Sequence, residues 1–283
     1  MKLRSVKTAT VMVLWLTVGY LFSVTLMNGK AEVVMDEQAH LISSSCGQHN
    51  STQPIDNKGV LNLAVWNIYK QKKPQWQQTL TSLENDANLI LLQEAKLSLK
   101  LDRFITANGL HLAMAKAFKL FSTPVGVMNL STASPSHSCA FHAIEPWIRF
   151  AKSSLVSSYL LSNGQTLLVV NLHGINFDWR LQRYEQQWQV VAKKIALHQG
   201  PVILAGDFNT WRNERLEIVE ELTARLKLKE ARYKSDFRHR VFGYPLDHLY
   251  YRGLNLVDAA SFKTAASDHN PIVAQFTLMA SEH

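Results

Sequence analysis

Several classes of protein are excluded by what this sequence has little of. Charged residues fill only 18% of its 283 positions, against 47% hydrophobic residues. A chain so apolar can build a core, and wholesale disorder is excluded. There are two cysteines, Cys46 and Cys139, too few for a disulfide scaffold, and without a CxxC pair they do not make a cysteine zinc site. Each reads as a small loop residue, and one bridge between them stays open if the domain faces an oxidising compartment. No period recurs along the chain, which argues against solenoids and propellers. Glycine-rich dinucleotide and P-loop signatures are missing, and no Ser or Cys sits in a nucleophile elbow.

Strong basicity is also less than it first looks. The formal net charge is +8, but Lys2, Arg4, Lys7 and Lys30 carry half of that excess within the first 30 residues, where there is no acid. What remains is a weak hint of an anionic partner and falls short of a nucleic-acid face. Between these bases, Thr8 to Met27 runs without a charge. At ~1.5 Å per residue it is long enough to span the ~30 Å hydrocarbon core as a helix. The flanking charges keep the N-terminus in the cytoplasm and put the rest of the chain across the membrane. The reading is an inner-membrane, single-pass anchor at residues 1–28, with a cleaved signal peptide as the competing reading and a cytoplasmic domain as the alternative location. Residues 29–59, polar and aperiodic around SSSCGQHNSTQP, read as a linker.

From residue 60 to 283 the pattern is a single domain of alternating strands and helices. Leu61 to Trp66, Leu89 to Leu92, Thr166 to Val170, Val202 to Ala205 and Ile272 to Phe276 are apolar runs of strand length, and Gly126 to Leu130 and Phe150 to Leu161 resemble further strands. Phe177, Leu181, Tyr184, Trp188, Val191 and Ile195 recur at helical spacing and predict one amphipathic helix. Trp76, Leu80 and Leu83 predict a second, and Ile218, Leu222 and Leu226 a third. Seven tryptophans argue for a packed interior.

Burial accounts for the strand interiors but not for their polar ends. The runs stop at Asn67, at Gln93-Glu94, at Asn171-Leu172-His173 and at Asp207-Phe208-Asn209, while Asp247 and the pair Asp268-His269 sit in polar turns. Singly each has a local explanation: Glu94 as a helix cap, Asp207 with Asn209 as an Asx turn. Together they are oxygen- and imidazole-bearing groups at strand ends, which a sheet gathers along one edge. Glu94 with Asn67 and Asp268 offers hard oxygen ligands suited to Mg²⁺, with Mn²⁺ as a substitute. His269 beside Asp247 suits a base held in one tautomer, and Asn209 and His173 suit hydrogen bonding to a phosphoryl oxygen. The chemistry such a set performs is metal-assisted hydrolysis of a phosphate ester by water. Lys70, Lys72 and Lys73 read as a solvated loop or as phosphate contacts, and Trp211 and Arg212 as packing or pocket rim.

In this order the blocks VWNIY, LLQEA, VVNLH, AGDFN, LDHLYYRG and SDHNP resemble the endonuclease/exonuclease/phosphatase superfamily, with details close to its YafD-like bacterial members. The resemblance covers nearly all of the chain from residue 60. It implies an α/β (α+β) four-layered sandwich of two packed mixed sheets flanked by helices, with the site at one edge. It implies Glu94 as principal metal ligand with Asn67 beside it and Asp268 near the metal or its waters. It also makes Asp207 the residue that orients the nucleophile, Asn209 and His173 the phosphate contacts, and His269 with Asp247 the acid/base pair. The implied substrate is a phosphate ester of nucleic acid or of a phospholipid headgroup. A binding or scaffold protein that keeps the fold without turnover is the rival.

Overall fold

A computed structural model describes residues 12, 13, 15–21, 23, 24, 28–35 and 45–279. The described residues before position 29 lie in a helix, α1. Beyond it come two seven-stranded sheets. In the first, the strands β1 (Glu32–Met35), β3 (Val60–Asn67), β4 (Leu89–Lys96), β5 (His111–Leu120), β6 (Thr123–Ser131), β15 (Leu254–Ser261) and β16 (Ile272–Leu278) lie in the order β1-β5-β6-β4-β3-β16-β15. In the second, β2 (Cys46–Gln48), β7 (His137–Ile144), β8 (Ala151–Leu160), β9 (Thr166–His173), β10 (Val202–Asp207), β11 (Lys229–Glu230) and β14 (Asp247–Arg252) lie in the order β11-β14-β10-β9-β8-β7-β2. A small ribbon pairs β12 (Arg240–Val241) with β13 (Tyr244–Pro245).

Alternation along the strands explains the layering. On β3, Leu61, Leu63 and Val65 face the second sheet, where they meet Leu167, Val169, Ile203 and Leu249. Ala64 and Trp66 face the other way, onto α2 (Trp76–Glu84) and α3 (Leu99–Ala107), through Trp76, Leu80, Leu83, Leu101 and Ile105. On β9, Leu168, Val170 and Leu172 pack against α4 (Gln182–Ala196) and α5 (Asn213–Arg225), through Tyr184, Trp188, Val191, Ile195 and Val219. Strands covered on both faces read as unbroken apolar runs, which is why these are visible in the sequence. The order is helix, sheet, sheet, helix, as expected for this fold class.

Two parallel pairs set the edge where the strands end. β3 runs parallel to β4, placing Asn67 beside Gln93, and β9 runs parallel to β10, placing His173 beside Asp207. β14 is antiparallel to β10 with Asp247 opposite Asp207. Between the sheets, near this edge, lies a small polar seam. Gln93 Nε2 donates to Asn171 Oδ1 at 2.7 Å, and Asn171 Nδ2 reaches Asn129 Oδ1 at 3.0 Å and Met128 O at 3.1 Å. All three amide side chains are fully buried.

Two expectations need correction, and a third falls partly outside the described residues. Of the expected linker, the described residues 29–35 and 45–59 are not free: β1 pairs with β5, β2 pairs with β7, Ile55 is buried, and Cys46 and Cys139, opposite each other in the β2–β7 pairing, form a disulfide. The helix expected from Phe177 begins at Gln182, because Asp178 Oδ2 accepts the Arg183 and Tyr184 amides (2.7 and 3.1 Å) and fixes its first turn; Phe177 is exposed instead of buried. Of the expected membrane segment, residues 8–11, 14, 22 and 25–27 lie outside the described residues, and no helix among the described residues is long and apolar enough to cross a membrane.

Candidate active site

At the common edge each strand end is aimed by its own local geometry. Glu94 has φ +52° at an irregularity in the β4–β6 ladder between Leu92 and Ala95, which turns its carboxylate off the strand. Gly206 has φ +138°, and a Cβ there would meet Leu172 O at 2.0 Å, so only glycine lets β10 lie this close to β9 just before Asp207. Asn209 takes the left-handed conformation (φ +53°) that asparagine tolerates, with its amide bonded to Asp207 Oδ1 at 3.0 Å. The Asx turn and the site are thus one structure.

The side chains converge on Asp207. Its Oδ2 receives Asn67 Nδ2 at 2.9 Å and lies 3.4 Å from His173 Nε2 and 3.8 Å from His269 Nε2. His269 Nδ1 meets Asp247 Oδ2 at 2.8 Å. Glu94 Oε1 stands 4.0 Å from His173 Nε2, which ties the first sheet's carboxylate to the second sheet's imidazole. Asn209 Nδ2 donates to Gly174 O at 3.0 Å and Ser267 Oγ to Asn67 O at 2.6 Å. Asn67, His173, Asp207, Asn209, Asp247 and His269 are all buried. Asp268 is exposed beside them, its Oδ1 held by Ser267 Oγ at 3.2 Å. Seven of the eight expected residues therefore make one cluster, and Asp268 stands at its rim. His248, next to Asp247 on β14, points to the opposite face and bonds Thr210 and Glu230.

Two lysines join this cluster: Lys152, which the sequence does not mark, and Lys70, one of the three loop lysines read above as solvated or as phosphate contacts. Lys152 Nζ lies 2.7 Å from His173 Nε2, and Lys70 pairs with Glu94 Oε2. Lys152 has no signal of its own: it is the second residue of β8, AKSSLVSSYL, a strand already rich in serine. Lys70 lies in a short turn, Tyr69–Gln71, whose three residues all have positive φ. Lys72 instead stacks over the Tyr69 ring at 4.7 Å, and Lys73 is exposed. Arg215 likewise carries no sequence signal of its role. Fully buried, it donates to the carbonyls of Asn209 (2.6 Å) and Ile175 and stacks 3.9 Å over the Tyr184 ring, bracing the loops behind the site.

Charge in the pit is arranged in opposition. Burial pushes the Glu94 carboxyl up, but Lys152 and Lys70 outweigh it and hold the group below its ordinary value. Burial, then Lys152 and Lys70, push the His173 imidazole well down, and burial also lowers the proton affinity of Lys152 against the opposing pull of Glu94 and Asp207. Asp207 is raised to about 6, chiefly by burial and by Asp247 against the pull of His269. Burial disfavours charge on His269, yet Asp247 and Asp207 overcome it and raise the group to about 10. The donor set is of the type a hard divalent cation takes: a carboxylate at Glu94, an amide oxygen at Asn67, which here accepts the Tyr69 amide at 3.1 Å, and a carboxylate at Asp207.

The model of the Endonuclease/Exonuclease/phosphatase family matches residues 64–269. A UPF0294 protein of Vibrio vulnificus (strain CMCP6) is 46% identical over 234 residues, 82% of each chain. Among solved structures, an endonuclease/exonuclease/phosphatase of Bacteroides vulgatus superposes with a TM-score of 0.62 at 16% identity, over 78% of this chain and 99% of that one. The catalytic domain of human Nocturnin, solved with a bound sulfate anion, gives 0.60 at 15% identity, over 79% of this chain and 96% of its own.

Proposed function

The chain belongs to the endonuclease/exonuclease/phosphatase family, in general divalent-metal-dependent phosphoester hydrolases, and from that membership we propose that it hydrolyses a phosphate ester of nucleic acid or of a phospholipid headgroup, with Mg²⁺ or Mn²⁺ and with water as nucleophile. The observation that carries this reading is the convergence of Glu94, His173, Asp207 and His269, drawn from both sheets, each within 4.0 Å of the next.

The roles follow from the atoms. A divalent cation held by Glu94 with Asn67 supplies Lewis-acid polarisation of the phosphoryl group. Asp207 is fixed by Asn67 and by the Asn209 amide, so its carboxylate sits pre-aligned to take the proton of an attacking water. His269, tied to Asp247 through Nδ1, presents Nε2 to the same space as proton donor and acceptor. Lys152 adds positive charge next to His173, where charge grows on the phosphoryl oxygens.

The disulfide and the apolar N-terminal run support an inner-membrane protein with its catalytic domain in the periplasm, since such bridges persist in oxidising compartments. The test is a Mg²⁺-dependent assay of the full chain against bis-p-nitrophenyl phosphate, supercoiled DNA and phospholipid vesicles, with His269→Ala as control. Turnover that needs metal and falls at least ~10²-fold in the variant is expected. A folded protein without turnover on any of the three would favour the binding protein.

A further inference from the structure

Beside the catalytic edge two loops present large apolar side chains to solvent. The β7–β8 turn, residues 145–150, exposes Trp147 (72%) and Ile148 (38%), and the segment after β9 exposes Phe177 (45%) and Trp179 (63%). Trp147 and Trp179 line one depression with Pro146 and Arg180. Rings of this size left in water at neighbouring positions mark an interaction surface.

The two loops are built as a unit. Glu145, fully buried, accepts the amides of Asn176 (2.7 Å) and Phe177 (2.9 Å), clamping one loop to the other. Asp178, also buried, is used up in capping α4. These two acids are thereby turned inward, and Arg149 and Arg180 are exposed beside the rings, while the exposed Glu214 pairs with Arg212 at 3.6 Å. Arg212 bonds Trp179 O at 2.8 Å, and the Trp179 ring packs against Trp211 at 5.2 Å, two residues from Asn209. Indole rings with arginines are the composition of a protein surface seated in a lipid headgroup layer.

The N-terminal helix meets the same turn. Tyr20 Oη donates to Ile148 O at 2.8 Å, and Asn28 bonds both Arg149 O (2.7 Å) and the Ala151 amide (2.9 Å). Met12, Val13, Trp15, Leu16 and Val18 on that helix are exposed. The apolar surface of α1 and the aromatic loops thus adjoin, and the loops lead into Lys152 and out of His173.

We propose that Trp147, Phe177 and Trp179, flanked by Arg149 and Arg180, dock on the anionic headgroup layer of the bilayer that takes the N-terminal segment, turning the cleft toward lipid, so that the ester it takes is a phospholipid headgroup phosphate. The substrate half rests on the hydrolase reading above; the docking half does not. The experiment uses the full chain reconstituted in vesicles of phosphatidylcholine and phosphatidylglycerol in equal parts, with and without acyl-chain bromination, in a Trp15→Phe background that removes the helix's own indole. Bromolipid is expected to quench tryptophan emission, and Trp147→Phe with Trp179→Phe to abolish that quenching. The double variant should keep its turnover of bis-p-nitrophenyl phosphate, which also reports folding, and lose about tenfold or more on vesicle phospholipid, the equivalent of ~1.4 kcal/mol of docking. Equal emission in brominated and plain vesicles would overturn the docking, as would a variant weakened on supercoiled DNA and unchanged on lipid. Intact quenching without turnover of any ester would leave the docking standing and remove the hydrolase reading and the lipid substrate with it.

Discussion

Replacing Asp247 by asparagine isolates one charge in the catalytic pit while keeping the side chain's shape. The carboxylate lies 2.8 Å from His269 Nδ1, and both residues are buried. With Asp207 it holds the imidazole's proton affinity up to about 10 against the opposing effect of burial. The Asn side chain still fills the space but no longer balances an imidazolium or enforces the tautomer with Nε2 facing the cleft. A general acid–base group contributes ~10²- to 10⁴-fold, so Asp247→Asn should lower kcat by about that range, or ~3 to 5 kcal/mol of barrier. Its effect on stability should stay below the ~3–5 kcal/mol of breaking a buried pair outright, because the Asp207 carboxylate remains 3.8 Å from the same ring. The assay is kcat on bis-p-nitrophenyl phosphate for the wild type, Asp247→Asn, His269→Ala and the double variant. If Asp247 acts through His269, the double variant loses no more than His269→Ala alone. Losses that simply multiply, or a single variant within a few-fold of wild type, would refute the pairing as a working unit.

Glu94→Gln removes the anionic ligand, and calorimetric titration with Mn²⁺ should give at least ~10-fold weaker binding with the fold intact, since even partners of a metal ligand are worth ~10–100-fold; an unchanged isotherm would take Glu94 out of the metal site. Asp207 keeps its proton to about 6 in the fold against 3.8 as an ordinary carboxyl, and His269 to about 10 against 6.5, so these two groups lose stabilising protons as pH rises. Lys152, whose proton affinity burial lowers, acts with the opposite sign toward high pH. The measurement is therefore a difference: His269→Ala should make the slope of urea midpoint against pH less negative than the wild type's between pH 6.5 and 10, and parallel profiles for the two proteins would contradict the assignment. The Cys46–Cys139 bridge spans 93 positions. Closing a loop of ~100 residues is worth up to about 4.7 kcal/mol, so Cys46→Ser with Cys139→Ser should lower the urea midpoint to that of the reduced wild type, and equal midpoints with and without reductant would show that the bridge holds nothing.

The strands legible in the sequence are those buried on both faces, such as β3, β4, β9 and β10, because their apolar runs are unbroken. β5 and β7 are not, since HLAMAKAFKL and HSCAFHAI interleave small and polar residues, and the alanines Ala113, Ala115 and Ala140 fill the space between the sheets where a legible strand shows Val, Ile or Leu. The candidate site groups are legible through their contrast with the runs they terminate. Lys152 offers no such contrast, and its meaning comes only from the Cα register that sets β8 beside β9. The start of α4 departs from the apolar period because a buried carboxylate, Asp178, outranks the spacing at Phe177. The edge strand β1 is too short to show a period although Val33, Val34 and Met35 are all buried, and β2 lies in a polar stretch where backbone pairing and one disulfide stand in for hydrophobic patterning.

The amide seam of Gln93, Asn129 and Asn171 has a role that neither sheet can fill alone. Asn67 and Glu94 ride on one sheet and His173, Asp207 and Asp247 on the other, so alignment of the two halves is as much a catalytic requirement as any side chain. Greasy contacts tolerate sliding; three interlocked amides accept a single alignment, like teeth on a key. A leucine-filled version of this interface would melt later and turn over poorly, its two half-sites each intact and no longer facing one another.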